Sequence, residues 1–226
     1  MIPIDTNLPA QGTLGWHRAR LGKFTGSEIH KLMVGSKIKG EDFGQTAKSY
    51  ILKVMAERHI TFDVVENDDE FYDYLEATSV ETKRMAWGKE QEDKARQSYE
   101  IGFGVDVVQC GSVKHIAIPN YAASPDGYIA SSDKIIEIKC PNPVELMRYM
   151  AFVHDAESLK AIKPEYYWQV QAELDCTFAS VCDFVVYNRW MTPNMHVAEI
   201  RRNDEDIERI HERIALAEAW AKENIK

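Results

Sequence analysis

Along the stretch Ile135 to Cys140 the residue types mark a β-strand, and successive side chains of a strand face opposite sides. Ile136, Ile138 and Cys140 then share one face, and Glu137 and Lys139 share the other. A carboxylate and an ammonium thus point to one place. Just upstream, Ser124-Pro125-Asp126-Gly127 has the composition of a turn, and pairing of the strands on either side of the next turn brings Asp126 alongside Glu137. Two carboxylates so placed repel each other unless a cation lies between them. A hard, oxygen-only donor set suits Mg²⁺, which is held by a few carboxylates together with water and substrate phosphate. The main-chain carbonyl of Ile138 is a further candidate ligand. Lys139 is placed to orient or deprotonate an attacking water, or to offset charge on pentavalent phosphorus. Together these groups suit metal-assisted hydrolysis of a phosphodiester.

The elements that must hold them are legible from period and punctuation. Thr25 followed by Glu28 makes a capping-box pattern, and Ile29, Leu32 and Met33 supply a helical stripe that ends near Gly35. Further helices are expected from about Gln45 to Arg58 and from about Trp87 to Glu100, the latter closed by Gly102 and Gly104. In that third helix Gly88, Glu92, Ala95 and Tyr99 fall in a narrow arc, so Glu92 sits on a face suited to close packing and needs a partner there. Val105 to Ile118, broken by Cys110-Gly111-Ser112, predicts a strand pair, and Tyr128 to Ala130 with Ile135 to Cys140 continues the sheet. After Pro164 come a helix to Thr177, strands at Phe184–Tyr187 and His196–Ile200, and a last helix from Asp204 to Asn224. That helix has the stripe Ile207, Ile210, Ile214, Ala217, Ala221.

Composition narrows the class. With 226 residues, 45% hydrophobic and 28% charged, the chain can bury one substantial core, and a single domain over residues 1–226 is expected. No run reaches the ~18 apolar residues of a membrane span, and Met1 to Ala10 lacks the pattern of a signal peptide, so a cytoplasmic protein is expected. The four cysteines show no C-x2-C pair, which argues against zinc or a disulfide framework. The net charge of −9 suits a polyanion poorly, but charge is segregated. His17 to Arg58 holds nine Lys or Arg against four acids, whereas Asp63 to Thr82 holds eight acids and no base. The first segment is expected to present a basic face to phosphates. On the residues alone, a surface ion pair between Glu137 and Lys139, worth under ~1 kcal/mol, a turn role for Asp126 and a solvated edge for Glu92 stay open.

The P-D-x10-E-x-K pattern resembles the PD-(D/E)xK nuclease motif. Around it stand Trp16-His17-Arg18-Ala19-Arg20-Leu21-Gly22, Thr25-Gly26-Ser27-Glu28, Ala86-Trp87-Gly88-Lys89-Glu90-Gln91-Glu92, Glu137-Ile138-Lys139-Cys140-Pro141 and Gln169-Val170-Gln171. In this order the chain resembles the lambda-phage-type exonuclease family, also called viral alkaline or YqaJ-like recombination exonucleases. The resemblance implies an α/β (α+β) fold with a restriction-endonuclease-like core, a mixed central sheet flanked by helices. It implies that Glu92, Asp126 and Glu137 bind metal, two Mg²⁺ ions with Mn²⁺ able to substitute, that Lys139 is catalytic and that Gln169 supports the site. It implies a 5′-phosphate pocket at Arg20 and Ser27 beside Thr25, and an apolar wedge for the terminal base pair at Met85. Ser27 in a first helical turn and the fork of Arg20 suit an anion on physical grounds as well. The activity implied is processive 5′-to-3′ digestion of double-stranded DNA ends to mononucleotides, by a homotrimeric ring in a bacterial host cell that passes its 3′ strand to a single-strand annealing protein. Rival readings are an endonuclease or an iron–sulfur, Cas4-like exonuclease on the same core, and a catalytically silent DNA-binding module.

Overall fold

Parallel strands need a long crossover, and the segment between the strand that carries Glu137 and its parallel neighbour is filled by three helices. The computed structural model describes residues 7–78, 83–129 and 131–225, with the side chains of 83–85 outside that description. In chain order come α1 (Leu14–Arg20), β1 (Phe24–Thr25), α2 (Gly26–Met33), α3 (Gln45–Arg58), α4 (Phe62–Glu66) and α5 (Asp68–Thr78). Then follow α6 (Lys83–Phe103), β2 (Val107–Val108), β3 (Val113–Lys114), β4 (Tyr121–Ala123), β5 (Gly127–Ile129) and β6 (Lys134–Lys139). The last third is α7 (Pro143–Phe152), α8 (Ala156–Ile162), α9 (Pro164–Thr177), β7 (Val181–Tyr187), β8 (Met195–Arg201) and α10 (Asp204–Asn224).

The main sheet has the order β2-β5-β6-β7-β8, with β6 and β7 parallel and the other pairs antiparallel. A smaller sheet has the order β1-β4-β3. One face of the main sheet, through Ile135, Cys182, Phe184 and Val186, packs with Val170, Ala172 and Leu174 of α9. The opposite face, through Ile136, Ile138, Val185 and Tyr187, packs with Ala95 and Tyr99 of α6. Helix α9 begins with Pro164 in its first turn, where the missing N–H has no partner to lose, and stops at Phe178 in the left-handed region (φ 57°). Helix α10 is capped by Asn203, which accepts from the Asp206 amide, and buries its predicted stripe. At Gly127 a Cβ would lie 2.4 Å from Val107 Cγ1, so glycine is what lets β2 close on β5 directly after Asp126.

Several expectations are corrected. Thr25 makes no side-chain cap bond, because β1 pairs with β4 and buries it, and Glu28 turns instead to Lys31 and Lys53. The segments around Val107 and Val113 do not pair with each other: β2 joins β5 and β3 joins β4, while Ile116 is exposed. Helix α6 runs past Gly102 to Phe103 and is closed by Gly104 at φ 64°. Five of the nine cations of the N-terminal basic segment are paired, in Arg18–Asp68, Lys31–Glu28, Lys48–Glu41, Lys53–Glu28 and Arg58–Glu218. Ala130, at the end of a predicted strand, lies outside the described residues.

Candidate active site

Strand β6 places Glu137 and Lys139 on the face toward α9, and the β5–β6 register of Gly127 with Ile136 sets Asp126 opposite Glu137. The Asp126 amide donates to the Ile136 carbonyl (3.1 Å) and its Oδ2 accepts from the Ile138 amide (2.7 Å). A turn residue is thereby locked onto the strand it faces. Glu137 is 2% exposed; its Oε1 accepts from Lys139 Nζ (2.5 Å) and from Gln169 Nε2 (2.7 Å). Gln169 Nε2 also donates to Glu173 Oε1 (2.9 Å), and Lys139 Nζ reaches Gln169 Oε1 at 3.4 Å. Glu92 approaches from α6, which packs on the other face of the sheet, and is close enough for its charge to act on Asp126 and Cys140.

The electrostatics are those of too many acids in too little water. Burial pushes the Glu92 carboxyl up to about 7, with the Asp126 charge adding to it. Burial, then the Glu137 charge, raises Asp126 well above the carboxylate range. Glu173, one turn beyond Gln169, is raised well above the carboxylate range by burial, then by Glu137 and Asp126. Burial alone would lower the Lys139 ammonium, but Glu137 and Asp126 outweigh it and raise it. Glu137 Oε2 and Glu173 Oε2 are buried with no hydrogen-bond partner. Buried orphan carboxylate oxygens are costly, and a cation is a common remedy.

A second site lies beside the first. Arg20 Nη1 donates to Ser124 Oγ and Nη2 to Ser27 Oγ, both at 3.1 Å, and the guanidinium lies 4.3 Å over the Trp16 ring. Trp16 Nε1 donates to the same Ser124 hydroxyl (3.2 Å). Among the described residues no carboxylate forms an ion pair with Arg20, and burial pulls its guanidinium below the usual value. Burial also lowers His17, with Arg20 and Lys89 adding to the effect, so positive charge converges here. Ser124 stands two residues before Asp126 and links the two sites. Thr25 is buried and its amide donates to the Tyr50 hydroxyl, so its backbone position, rather than its hydroxyl, lies next to this pocket. Met85 belongs to α6, but its side chain lies outside the described residues.

A family model described as a YqaJ-like viral recombinase domain matches residues 15–180, a span that holds both sites. The chain belongs to the YqaJ-like viral recombinase family. Its fold is that of the PD-(D/E)xK nucleases of the lambda-exonuclease type. Two solved structures of the alkaline exonuclease LHK-Exo from Laribacter hongkongensis, one of them in complex with dAMP, are each 28% identical over 94% of both chains, with TM-score 0.73. A phage-related exonuclease from Haemophilus somnus 129PT shares the fold at 19% identity over 90% of this chain and 95% of its own, with TM-score 0.64. No curated protein sequence matches the chain significantly.

A nuclease family of this kind implies a divalent metal, and the acid cluster of the YqaJ-like chain fits one: oxygen donors, an orphaned Glu137 oxygen and raised carboxyls. A different trio, His115, Asp175 and His211, brings three ligand atoms within 4.8 Å of one another. Its hydrogen bonds make it an internal network instead. His115 Nδ1 accepts from the amides of Ala117 and Ile118, so Nε2 carries the proton and faces Asp175. Burial would raise Asp175, yet the bonds from His115 and His211 hold it down to about 2. Two residues of the YqaJ-like site had no role assigned from sequence. Ser124 was visible only as part of a turn, and Glu173 could have been found as an acid one turn after Gln169 on a helix buried all round. Gln171, by contrast, faces away and binds the Arg201 carbonyl and the Asn203 amide.

Proposed function

We propose that this protein is a Mg²⁺-dependent, processive 5′-to-3′ exonuclease on double-stranded DNA ends that releases 5′-mononucleotides and leaves a 3′ single strand. The observation that carries this reading is Arg20, a half-buried cation without a carboxylate, joined through Ser124 to the turn that bears Asp126. Such a group asks for an anion, and a 5′-phosphate held there leaves the next phosphodiester near the acids. LHK-Exo has been solved with dAMP, a deoxynucleoside monophosphate, which is what exonucleolytic hydrolysis of DNA leaves.

Glu92, Asp126 and Glu137, with the Ile138 main-chain carbonyl, would hold Mg²⁺, which would supply Lewis acidity for hydrolysis of a phosphodiester. Lys139, held as an ammonium by Glu137 and Asp126 in the metal-free site, is placed to serve as a donor and positive charge at the reacting phosphate. Gln169 holds Glu137 and Lys139 in register. A homotrimeric ring would give processivity and would let a chain of net charge −9 hold DNA, since only the channel needs to be basic. The exposed strand would pass to a single-strand annealing protein. No helix among the described residues is long and apolar enough to cross a membrane.

The deciding assay follows 5′-end and 3′-end labels on one linear duplex with Mg²⁺. The 5′ label should leave first, as a mononucleotide; earlier loss of the 3′ label, or cutting of closed circles, would overturn the reading. Arg20→Ala should weaken the preference for 5′-phosphate over 5′-hydroxyl ends by about ten- to a hundred-fold, the worth of a charge-assisted hydrogen bond. An unchanged ratio of the two kcat/KM values would remove Arg20 from the pocket.

A further inference from the structure

The two indoles of Trp87 and Trp190 stack with ring centroids 4.6 Å apart and planes within 13°. Trp87 lies on α6 five positions before Glu92, about 7.5 Å along the axis at 1.5 Å per residue. Trp190 comes from the loop joining β7 to β8 and is 64% exposed. A single exposed apolar residue is ordinary. This one is held in place, and the tether runs to the catalytic strand. Asn188, 3% exposed, donates from Nδ2 to the Pro141 carbonyl (2.8 Å), accepts from the Trp190 amide at Oδ1 (3.0 Å) and donates its own amide to the Asn194 carbonyl (2.8 Å). Met191 packs back against the core. Pro141 is two residues past Lys139, so the stack bridges the helix of Glu92 and the strand of Lys139.

The remaining face of Trp190 is open, and beside it Arg189 is exposed and forms no ion pair among the described residues. An unpaired arginine next to an open indole stands out in a chain with nine more acids than bases. We infer that the Trp87–Trp190 stack is a nucleobase platform, on which Trp190 takes the flat face of one base of the DNA strand at the site while Arg189 meets a backbone phosphate. Contact through the ring face suits an enzyme that must accept every base, because stacking needs no hydrogen-bond code. This rests on the reading of the acid cluster as a DNA-hydrolysing site and adds a subsite to it.

Binding without turnover tests it. In EDTA, the affinity of the wild-type protein for a 5′-phosphorylated duplex is compared with that of Trp190→Ala, using intact DNA and a series with one abasic site moved stepwise from the 5′ end. Stacking of one base is worth about ten-fold in affinity, so Trp190→Ala should lose that on intact DNA. At one abasic position the wild type should lose the same, and Trp190→Ala nothing more. Trp190→Phe should keep most of the affinity. Equal affinities of Trp190→Ala and wild type, or losses that add at every position, would overturn the platform; additive losses would mark a structural role. If wild type shows the non-additive position but hydrolyses no DNA with Mg²⁺, the platform stands and the nuclease reading fails.

Discussion

Replacing Lys139 by alanine is expected to lower Mg²⁺-dependent turnover of a 5′-phosphorylated duplex by about a thousand-fold, the upper end of what one positioned donor at developing charge contributes. The Lys139 side chain is only 23% exposed, and its ammonium lies 4.8 Å from the Tyr166 ring centroid and donates to Glu137 and Gln169, so its position is set from three sides. Water cannot take over that geometry. Lys139→Arg should not restore the rate, since a planar guanidinium does not place a compact charge at the same point. The change also deprives Glu137 of its cation, so a folding defect must be separated from a chemical one. Single-turnover hydrolysis is therefore read beside the thermal midpoint with and without Mg²⁺. A variant that still gains stability from Mg²⁺ yet hydrolyses nothing supports the role given to Lys139. One that keeps a tenth of wild-type turnover ends it.

How far such a site can be read from sequence depends on whether its geometry is local. The common face of Glu137 and Lys139 is a property of one strand, and the stripe Ile207 to Ala221 of one helix, so both follow from periodicity. Helices α3 and α10 span the residues expected of them, Gln45–Arg58 and Asp204–Asn224. Pairing is different. Strands β1, β2 and β3 have two residues each, too short for any pattern, and their partners were fixed only by the folded chain. The basic segment misled for the same reason. Arg58 finds Glu218, 160 residues away, and Arg18 finds Asp68 across a packed helix pair, so a run of charge in sequence became paired charge in space. What escaped pairing is the more informative remainder. Arg20 and Arg189 are left without a carboxylate or a backbone carbonyl among the described residues, whereas Arg213, also without a carboxylate, is held by the Leu32 and Asp42 carbonyls. Glu173 stayed hidden because α9 is buried on all sides, which removes the amphipathic contrast that would single out an inward-facing acid.

Mg²⁺ should raise the thermal midpoint strongly at about pH 8 and little at about pH 5, because the apo site holds protons where the loaded site holds metal. Glu92 has its carboxyl lifted by burial to about 7 from an ordinary 4.5, and Asp126 is lifted in the same direction. A carboxyl that is a weaker acid when folded binds more protons in the native than in the unfolded state, so unfolding free energy falls as pH rises between those values. For Glu92 alone that loss is on the order of 2 kcal/mol after allowing for its partial exposure, or about 5 °C in a chain of this length. Lys139 does not oppose it, since its raised pKa keeps it charged across the whole window. The metal-free protein is therefore expected to lose stability from about pH 5 to about pH 8, and Mg²⁺ to restore it most where the acids have ionised. Glu92→Gln should flatten both trends, because the amide neither titrates nor repels Asp126. Differential scanning calorimetry across this range, with EDTA and with Mg²⁺, gives the two curves. Curves that stay parallel would mean that Mg²⁺ does not displace protons from these acids, and that the orphaned oxygen of Glu137 is answered by some other group.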